Sequence, residues 1–347
     1  MTFNTVHRVI FGDSAAELAS FHADTFELAV TSPPYPMISM WDAAFGRRDD
    51  RIIRALQDGR GDDAFELMHS QLDEVWKALY AVLSPGGIVC INIGDATRSI
   101  GGSFRVFPNH ARILNSCIQA GFSVLPEILW RKQSNKPNKF MGSGMLPPGA
   151  YPTQEHEFIL VLRKGAKRVF RRKEEAQRRY ESAYFWEERN SWFSDVWEDI
   201  RGEKQAAKAP GRRTAAFPVE LCYRLICMFS ITGDTVLDPF LGTGTTTVAS
   251  IAAGRNSLGI EMDTSLSDLI YARTEESVSL AVHMTESRLE SHRSFISAEG
   301  ATDRANAMHI NRNYGFPVVT AQERELLLPK LQSVSVSRAG TIHASYI

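Results

Sequence analysis

Asp238-Pro239-Phe240-Leu241-Gly242-Thr243-Gly244-Thr245 follows the apolar run Thr235-Val236-Leu237 and precedes a helix-forming stretch that runs through Ala253. A strand that enters a glycine loop and then a helix brings backbone close to a nucleotide-like ligand, because glycine adopts unusual φ and carries no side chain to hold the ligand off. Ser257-Leu258-Gly259-Ile260-Glu261 reads as the next strand and completes a βαβ unit. Its terminal acid lies about twenty positions past the first glycine, where a carboxylate suits paired hydrogen bonds to ribose hydroxyls. No lysine follows Gly244, which disfavours a P-loop, and the third glycine of a nicotinamide fingerprint is missing. A merely tight strand-to-helix turn is the plainer reading, but it leaves Glu261 without a reason.

The same alternation extends outward. Val9-Ile10-Phe11 predicts a strand ending at Gly12-Asp13, residues 14–22 a helix, and Leu28-Ala29-Val30 a strand running into Thr31-Ser32-Pro33-Pro34-Tyr35. Two prolines end that strand, since neither can donate to a ladder and each fixes φ. Apolar residues at helical spacing predict a helix over 64–83, stopped at Ser84-Pro85-Gly86-Gly87. Ile88–Ile93 reads as a strand, 108–120 as a helix, and 128–130 and 158–162 as strands. The alternation lapses over 163–213 and resumes with a helix at 217–230. Residues 264–296 read as helical, and the last fifty give no clear motif. Strands alternating with helices imply a mostly parallel sheet covered on both faces, an α/β Rossmann-like fold.

With 347 residues, 44% of them hydrophobic, the chain can bury a full core and carry a small insert. No apolar run of about 18 residues predicts a membrane span, and the N-terminus lacks the pattern of a signal peptide. Cys90, Cys117, Cys222 and Cys227 have no CxxC spacing and no histidine cluster, so reduced cysteines, no metal and a cytoplasmic setting are expected. A net charge of −1 counts mildly against nucleic acid, but the distribution is uneven. Arg163, Lys164, Lys167, Arg168, Arg171, Arg172, Lys173, Arg178 and Arg179 crowd one segment, and Arg201, Lys204, Lys208, Arg212 and Arg213 follow it. Tyr180, Tyr184, Phe185, Trp186, Trp192, Phe193 and Trp197 are interleaved with them. Such a mixture suits phosphate contacts and the bracing of a distorted duplex; a solvated helix over 163–179 followed by core aromatics is the bland alternative.

The glycine loop, Gly259-Ile260-Glu261 behind it and Thr31-Ser32-Pro33-Pro34-Tyr35 far ahead together resemble the β-group of amino-methylating DNA methyltransferases, over roughly residues 8–162 and 214–265. In that group the catalytic motif precedes the cofactor motif, a circular permutation of the S-adenosyl-L-methionine (AdoMet)-dependent fold. The resemblance divides the chain into a catalytic half (1–162), a target-recognition region (163–213), an AdoMet-binding half (214–296) and a C-terminal tail (297–347). It implies that Asp238, Pro239, Phe240, Gly242, Gly244 and Thr245 form the AdoMet loop and that Glu261 holds the ribose. Asp13 would face the adenine amine, and Phe217-Pro218 would pack on the methionine end. Many members carry a histidine two or three positions before that Phe-Pro, where this chain has Thr214-Ala215-Ala216. Arg168, Arg171, Arg172, Arg212 and Arg213 are the candidate DNA contacts. Lys132, Lys136 and Lys139, with Asn135 and Asn138, form a second polar stretch suited to a displaced strand.

An exocyclic amine is a poor nucleophile because its lone pair is delocalised into the ring. Acceptors set against its N–H groups favour a pyramidal nitrogen, and the Ser32 hydroxyl and the Pro33 carbonyl can supply them, held rigid by Pro34. Tyr35 offers a ring for stacking on a base that has left the duplex stack. No cysteine follows a proline, so a covalent route of the C5-cytosine kind is not expected. In this family Ser-Pro-Pro-Tyr goes mostly with cytosine N4 and Asp-Pro-Pro-Tyr with adenine N6, so the resemblance implies N4 methylation of cytosine in double-stranded DNA. Adenine N6 is the runner-up; a non-catalytic DNA-binding module and a small-molecule methyltransferase are the rivals of other classes. It further implies a restriction–modification system whose endonuclease forms no stable complex with this chain, and it allows a homodimer.

Overall fold

The computed structural model describes residues 2–132, 141–202, 217–298 and 309–347. Among them an 11-stranded sheet contains β1 (Phe3–Phe11), β2 (Phe26–Thr31), β3 (Leu83–Ile93), β4 (Phe122–Val124), β5 (Ile128–Arg131) and β6 (His156–Lys164). It continues with β7 (Val196–Trp197), β8 (Thr235–Asp238), β9 (Asn256–Glu261), β10 (Leu331–Val336) and β11 (Ile342–Tyr346). The spatial order is β7-β5-β6-β3-β2-β8-β9-β1-β11-β10, with β4 also paired to β6. From β3 through β2, β8 and β9 to β1 every pairing is parallel, whereas β6 runs antiparallel to β3 and to β5. The glycine-loop strand β8 thus lies beside β2, which arrives about two hundred residues earlier. This is the permuted order that the resemblance implies.

The central strands β2, β3, β6 and β8 are buried on both faces, and their residues alternate between two cores. Ala29, Val89, Ile91, Leu160, Leu162 and Leu237 belong to one; Leu28, Val30, Cys90, Ile159, Val161 and Val236 belong to the other. The first core is covered by α1 (Ser14–Ala19), α2 (Asp42–Arg48), α3 (Asp50–Gln57), α4 (Gly61–Val82) and α5 (Asn109–Ala120). Helix α4 buries Met68, Leu72, Val75, Trp76 and Leu79 at the spacing expected of one helical stripe. On the other face, α8 (Val219–Phe229) and α9 (Thr245–Ala253) pack together with α11 (Ser277–Ser297), which follows α10 (Ser267–Glu275). All four cysteines are buried and free.

Two regions differ from the sequence reading. The segment after β6 holds α6 (Lys173–Glu181), α7 (Trp186–Trp192) and β7, and Trp192 and Trp197 join the second core while Phe185 anchors a smaller one. These aromatics pack because β7 pairs with β5 and extends the sheet, a long-range event that no local period announces. The C-terminal stretch, which showed no motif, forms the β10–β11 hairpin, and β11 pairs antiparallel to β1. The sheet therefore continues beyond β1 into this hairpin. Beneath that hairpin the Tyr346 hydroxyl donates to the Ile251 carbonyl at 2.7 Å and meets Thr5 Oγ1 at 3.2 Å. Burial lowers the adjacent His7 to about 3, so the ring is neutral there.

Candidate active site

The carboxyl ends of parallel strands are where an open α/β sheet presents its loops to a ligand. Here β2 delivers Thr31-Ser32-Pro33-Pro34-Tyr35 and β8 delivers Asp238 and the glycine loop, and one hydrogen bond joins them. Thr31 Oγ1 donates to Asp238 Oδ1 at 2.6 Å, across 207 positions of sequence. Asp238 also accepts from Phe240 N at 3.0 Å and from Thr246 Oγ1 at 2.5 Å. Burial pushes its carboxyl up to about 6, against those three hydrogen bonds, and the charge of Glu261 adds to the rise.

A cavity of about 500 Å³ opens beside this junction, within the range usual for small-molecule sites. Ser32 and Pro34 line it together with Asp238, Pro239, Phe240, Gly242, Thr245 and Glu261. Gly242 sits at φ +56°, and a Cβ built there meets no protein atom nearer than 4.0 Å, so a side chain would occupy the open cavity. Gly244, at φ +85°, caps α9 with Ile270 against it and does not line the cavity. Glu261 accepts from Gly242 N at 2.7 Å and from Asp263 N at 2.8 Å, and burial raises its pKa. Each of its oxygens retains a second lone pair. Phe217 is buried and lines the cavity, and Pro218 is the N-cap of α8.

Asp13 departs from its expected place. Its carboxylate caps α1 through Ala16 N at 3.1 Å and pairs with Arg48 at 2.7 Å, and it is Ser14 that lines the cavity. Tyr35 departs too. Its hydroxyl donates to Glu157 Oε2 at 2.9 Å and receives Asn92 Nδ2 at 2.9 Å, so its edge is fixed from behind the motif, and the ring is not part of the cavity wall. Burial and the Glu157 charge hold the phenol well above its ordinary value. Pro33 is buried behind Ser32 and Pro34.

Among the described residues, the basic candidates Arg168, Arg171 and Arg172 do not line this cavity. Arg168 forms a two-pronged pair with Asp234, at 2.7 and 3.0 Å, and Asp234 precedes β8 at the opposite end of the sheet. Arg172 pairs with Glu175 at 2.7 Å and Arg171 is exposed. Arg212, Arg213, Lys136, Lys139, Asn135 and Asn138 lie outside the described residues. Lys132 is at the reactive end, where its ammonium meets Glu157 Oε1 at 2.9 Å.

Sequence reasoning missed Asn92, Glu157, Trp41 and Arg48. An asparagine near the close of an apolar strand, Ile91-Asn92-Ile93, was the one signal available; nothing marked Glu157, an acid near the start of a strand. Trp41, Arg47 and Arg48 line the cavity from the segment after Tyr35, which carried no motif.

Comparison with known proteins agrees with this geometry. The family described as DNA methylase matches residues 26–272. The Type II methyltransferase M.MthZI of Methanothermobacter thermautotrophicus is 49% identical over 327 residues, covering 93% of this chain and 90% of that protein. M.MjaI of Methanocaldococcus jannaschii, also a Type II methyltransferase, is 51% identical over 277 residues, covering 77% and 90%. Among solved structures, TTHA0409 of Thermus thermophilus, assigned as a DNA modification methylase and complexed with S-adenosyl-L-methionine, is 34% identical with a TM-score of 0.62. That match covers 78% of this chain and 94% of the other.

Proposed function

The chain belongs to the N6/N4 DNA methylase family, and from that premise we propose that it methylates cytosine N4 at a specific sequence in duplex DNA. AdoMet is its cofactor. The observation that carries the reading is the shared cavity: Ser32 and Pro34 lie on one wall, Phe240, Gly242 and Glu261 on the other, and Thr31–Asp238 ties the walls together.

The residues present fit the cofactor. Glu261, with a lone pair to spare on each oxygen, would accept the two ribose hydroxyls. Bare backbone at Gly242 leaves room for the nucleoside, and Phe240 and Phe217 give it apolar walls. Asp238, which also lines the cavity, holds the loop in place through Thr31 and Thr246. When bound, the cofactor supplies an electrophilic methyl on a sulfonium. The chain's own work is to hold the target amine. Ser32 Oγ and the Pro33 carbonyl accept its two N–H groups and turn the nitrogen lone pair toward the cavity, with geometry fixed in advance by the paired prolines. A base reaches this point only by leaving the stack, at a cost of about a few kcal/mol that these contacts offset.

Cytosine is preferred to adenine because the motif opens with Ser32 and not with aspartate. The duplex approaches the carboxyl ends of β2, β3 and β8, where Arg131 and Lys132 also emerge, and the exposed Arg171 and Arg172 serve at most as peripheral phosphate contacts. The Type II names of the relatives favour a modification enzyme that protects cytoplasmic DNA from a cognate endonuclease. Among the described residues no helix is long and apolar enough to cross a membrane. Methylation-sensitive sequencing of a genome expressing this chain, with mass spectrometry of its nucleosides, tests the proposal. N4-methylcytosine at one short sequence is expected; N6-methyladenine in its place would move the assignment to the runner-up.

A further inference from the structure

Behind Ser32 lies a closed set of hydrogen bonds whose direction is dictated from its far end. Glu157, at the start of β6, is a largely buried carboxylate that can only accept. Its Oε2 takes the Tyr35 hydroxyl at 2.9 Å and Asn92 Nδ2 at 2.7 Å, and its Oε1 takes the Lys132 ammonium at 2.9 Å. Tyr35 has one polar hydrogen, and Glu157 claims it. Toward its other neighbours the phenol oxygen can therefore only accept, from Asn92 Nδ2 at 2.9 Å and from Ser32 Oγ at 3.2 Å. Ser32 has one hydrogen as well, and Tyr35 claims that. The amide of Asn92 cannot turn over, because its oxygen would then face the Glu157 carboxylate. Its Oδ1 stays buried with no partner among the described residues.

Counting hydrogens gives the consequence. Ser32, Tyr35 and Asn92 have donated every polar hydrogen they own, yet Ser32 Oγ keeps its lone pairs and Asn92 keeps an unpaired oxygen. We propose that Glu157 is a positioning residue which, through Tyr35, makes Ser32 an obligate acceptor, so that the site admits a base bearing an amine and rejects its keto counterpart. The inference rests on the reading of Ser32 as an acceptor for the target amine. A keto oxygen in the amine's place would set acceptor against acceptor with no hydrogen between them. Sites that bind polar groups reject mismatched analogues on that account far more strongly than apolar pockets do. Gly94 helps hold the arrangement, since a Cβ there would come within 3.1 Å of the Tyr35 ring and 3.3 Å of Glu157.

The experiment uses the full chain and duplexes bearing the sequence found by methylation sequencing, in two matched pairs. One pair carries cytosine or uracil at the target, the other adenine or hypoxanthine. The wild-type protein with AdoMet analogue is expected to bind the amino member of the target pair at least about ten-fold tighter than the keto member. E157Q, whose amide can donate as well as accept, and Y35F, which removes the link, are expected to narrow that ratio to within about three-fold. Their kcat falls while KM for AdoMet stays within about two-fold, because the cofactor wall is separate. E157Q and Y35F break the chain at different links, so if one fails to fold the other decides. A preference confined to the adenine pair would overturn the cytosine assignment and leave the acceptor argument standing. Variants that lose turnover yet keep the wild-type ratio, or a wild-type protein that prefers neither pair, would overturn the proposal.

Discussion

The two ends of the parallel strands treat buried polar groups in opposite ways. At the amino end Asp234 is matched by an opposite charge, with both oxygens on the Arg168 guanidinium and a further bond from Ile231 N at 2.9 Å. Nearby Arg255 is buried and gives its hydrogens to the Ser230 carbonyl at 2.8 Å, to Ser230 Oγ at 3.1 Å and to the Ala253 carbonyl. At the carboxyl end Asp238 and Glu261 are held by neutral donors alone and pushed up by burial, Glu261 keeps a lone pair on each oxygen, and Asn92 leaves an oxygen unpaired. One end is closed chemically and stabilises the sheet. The other retains the acceptor capacity that a ligand can use. Positive charge by itself, which drew attention to the basic segment, does not separate the two; the state of the partners does.

The sharpest break of that contrast is S32A at the reactive end. Removing one preorganised acceptor is expected to lower kcat by about 100-fold or more, with AdoMet affinity unchanged within about two-fold, in single-turnover assays with labelled cofactor. Next comes R168A at the closed end. It strands Asp234, so unfolding stability should drop by about 2–3 kcal/mol in urea melts, while kcat and the affinity for DNA hold within about two-fold. A loss of DNA affinity without a loss of stability would return Arg168 to the recognition surface.

A smaller effect is expected from pH. The folded pKa of Asp238, about 6, lies above the ordinary aspartate value, so between roughly pH 4 and 6 the native chain holds a proton that the unfolded chain has released. This group therefore adds stability as pH falls through 6, and that increment is lost as pH rises above it. D238N does not titrate, so the Tm difference between wild type and D238N should shift in favour of wild type by about a few degrees from pH 7 to pH 5. A constant difference would contradict the assigned pKa. Least affected is R171A, an exposed arginine, for which a stability change within about 0.5 kcal/mol is expected.

How much of this was legible in the sequence depended on the range of the causes. The alternation of strand and helix is local, and so is the glycine loop; both were readable, and with them the permuted order. Ser32 and Glu261 were readable because each sits at a strand tip beside a turn that has few other uses. Asp13 was read only as a ligand residue, whereas its carboxylate caps α1 and pairs with Arg48, thirty-five positions away. Arg168 finds Asp234 across 66 positions and Tyr35 finds Glu157 across 122, pairings that no spacing rule encodes. The β10–β11 hairpin was invisible for a different reason. Leu331–Val336 alternates with polar residues as an edge strand does, and the hairpin joins the sheet only through β11 on β1, more than three hundred positions away.

That placement of β1 governs how the molecule comes into being. Phe3–Phe11 is translated about 245 residues or more ahead of both its neighbours, Asn256–Glu261 and Ile342–Tyr346. Its apolar side chains must wait unpaired through most of synthesis, a topology that delays assembly and invites capture by chaperones. A nascent copy that stops short of Asn256 offers β1 neither of these partners, and one that stops short of Asp238 lacks the glycine loop as well, so the cofactor pocket cannot form before that loop has been made.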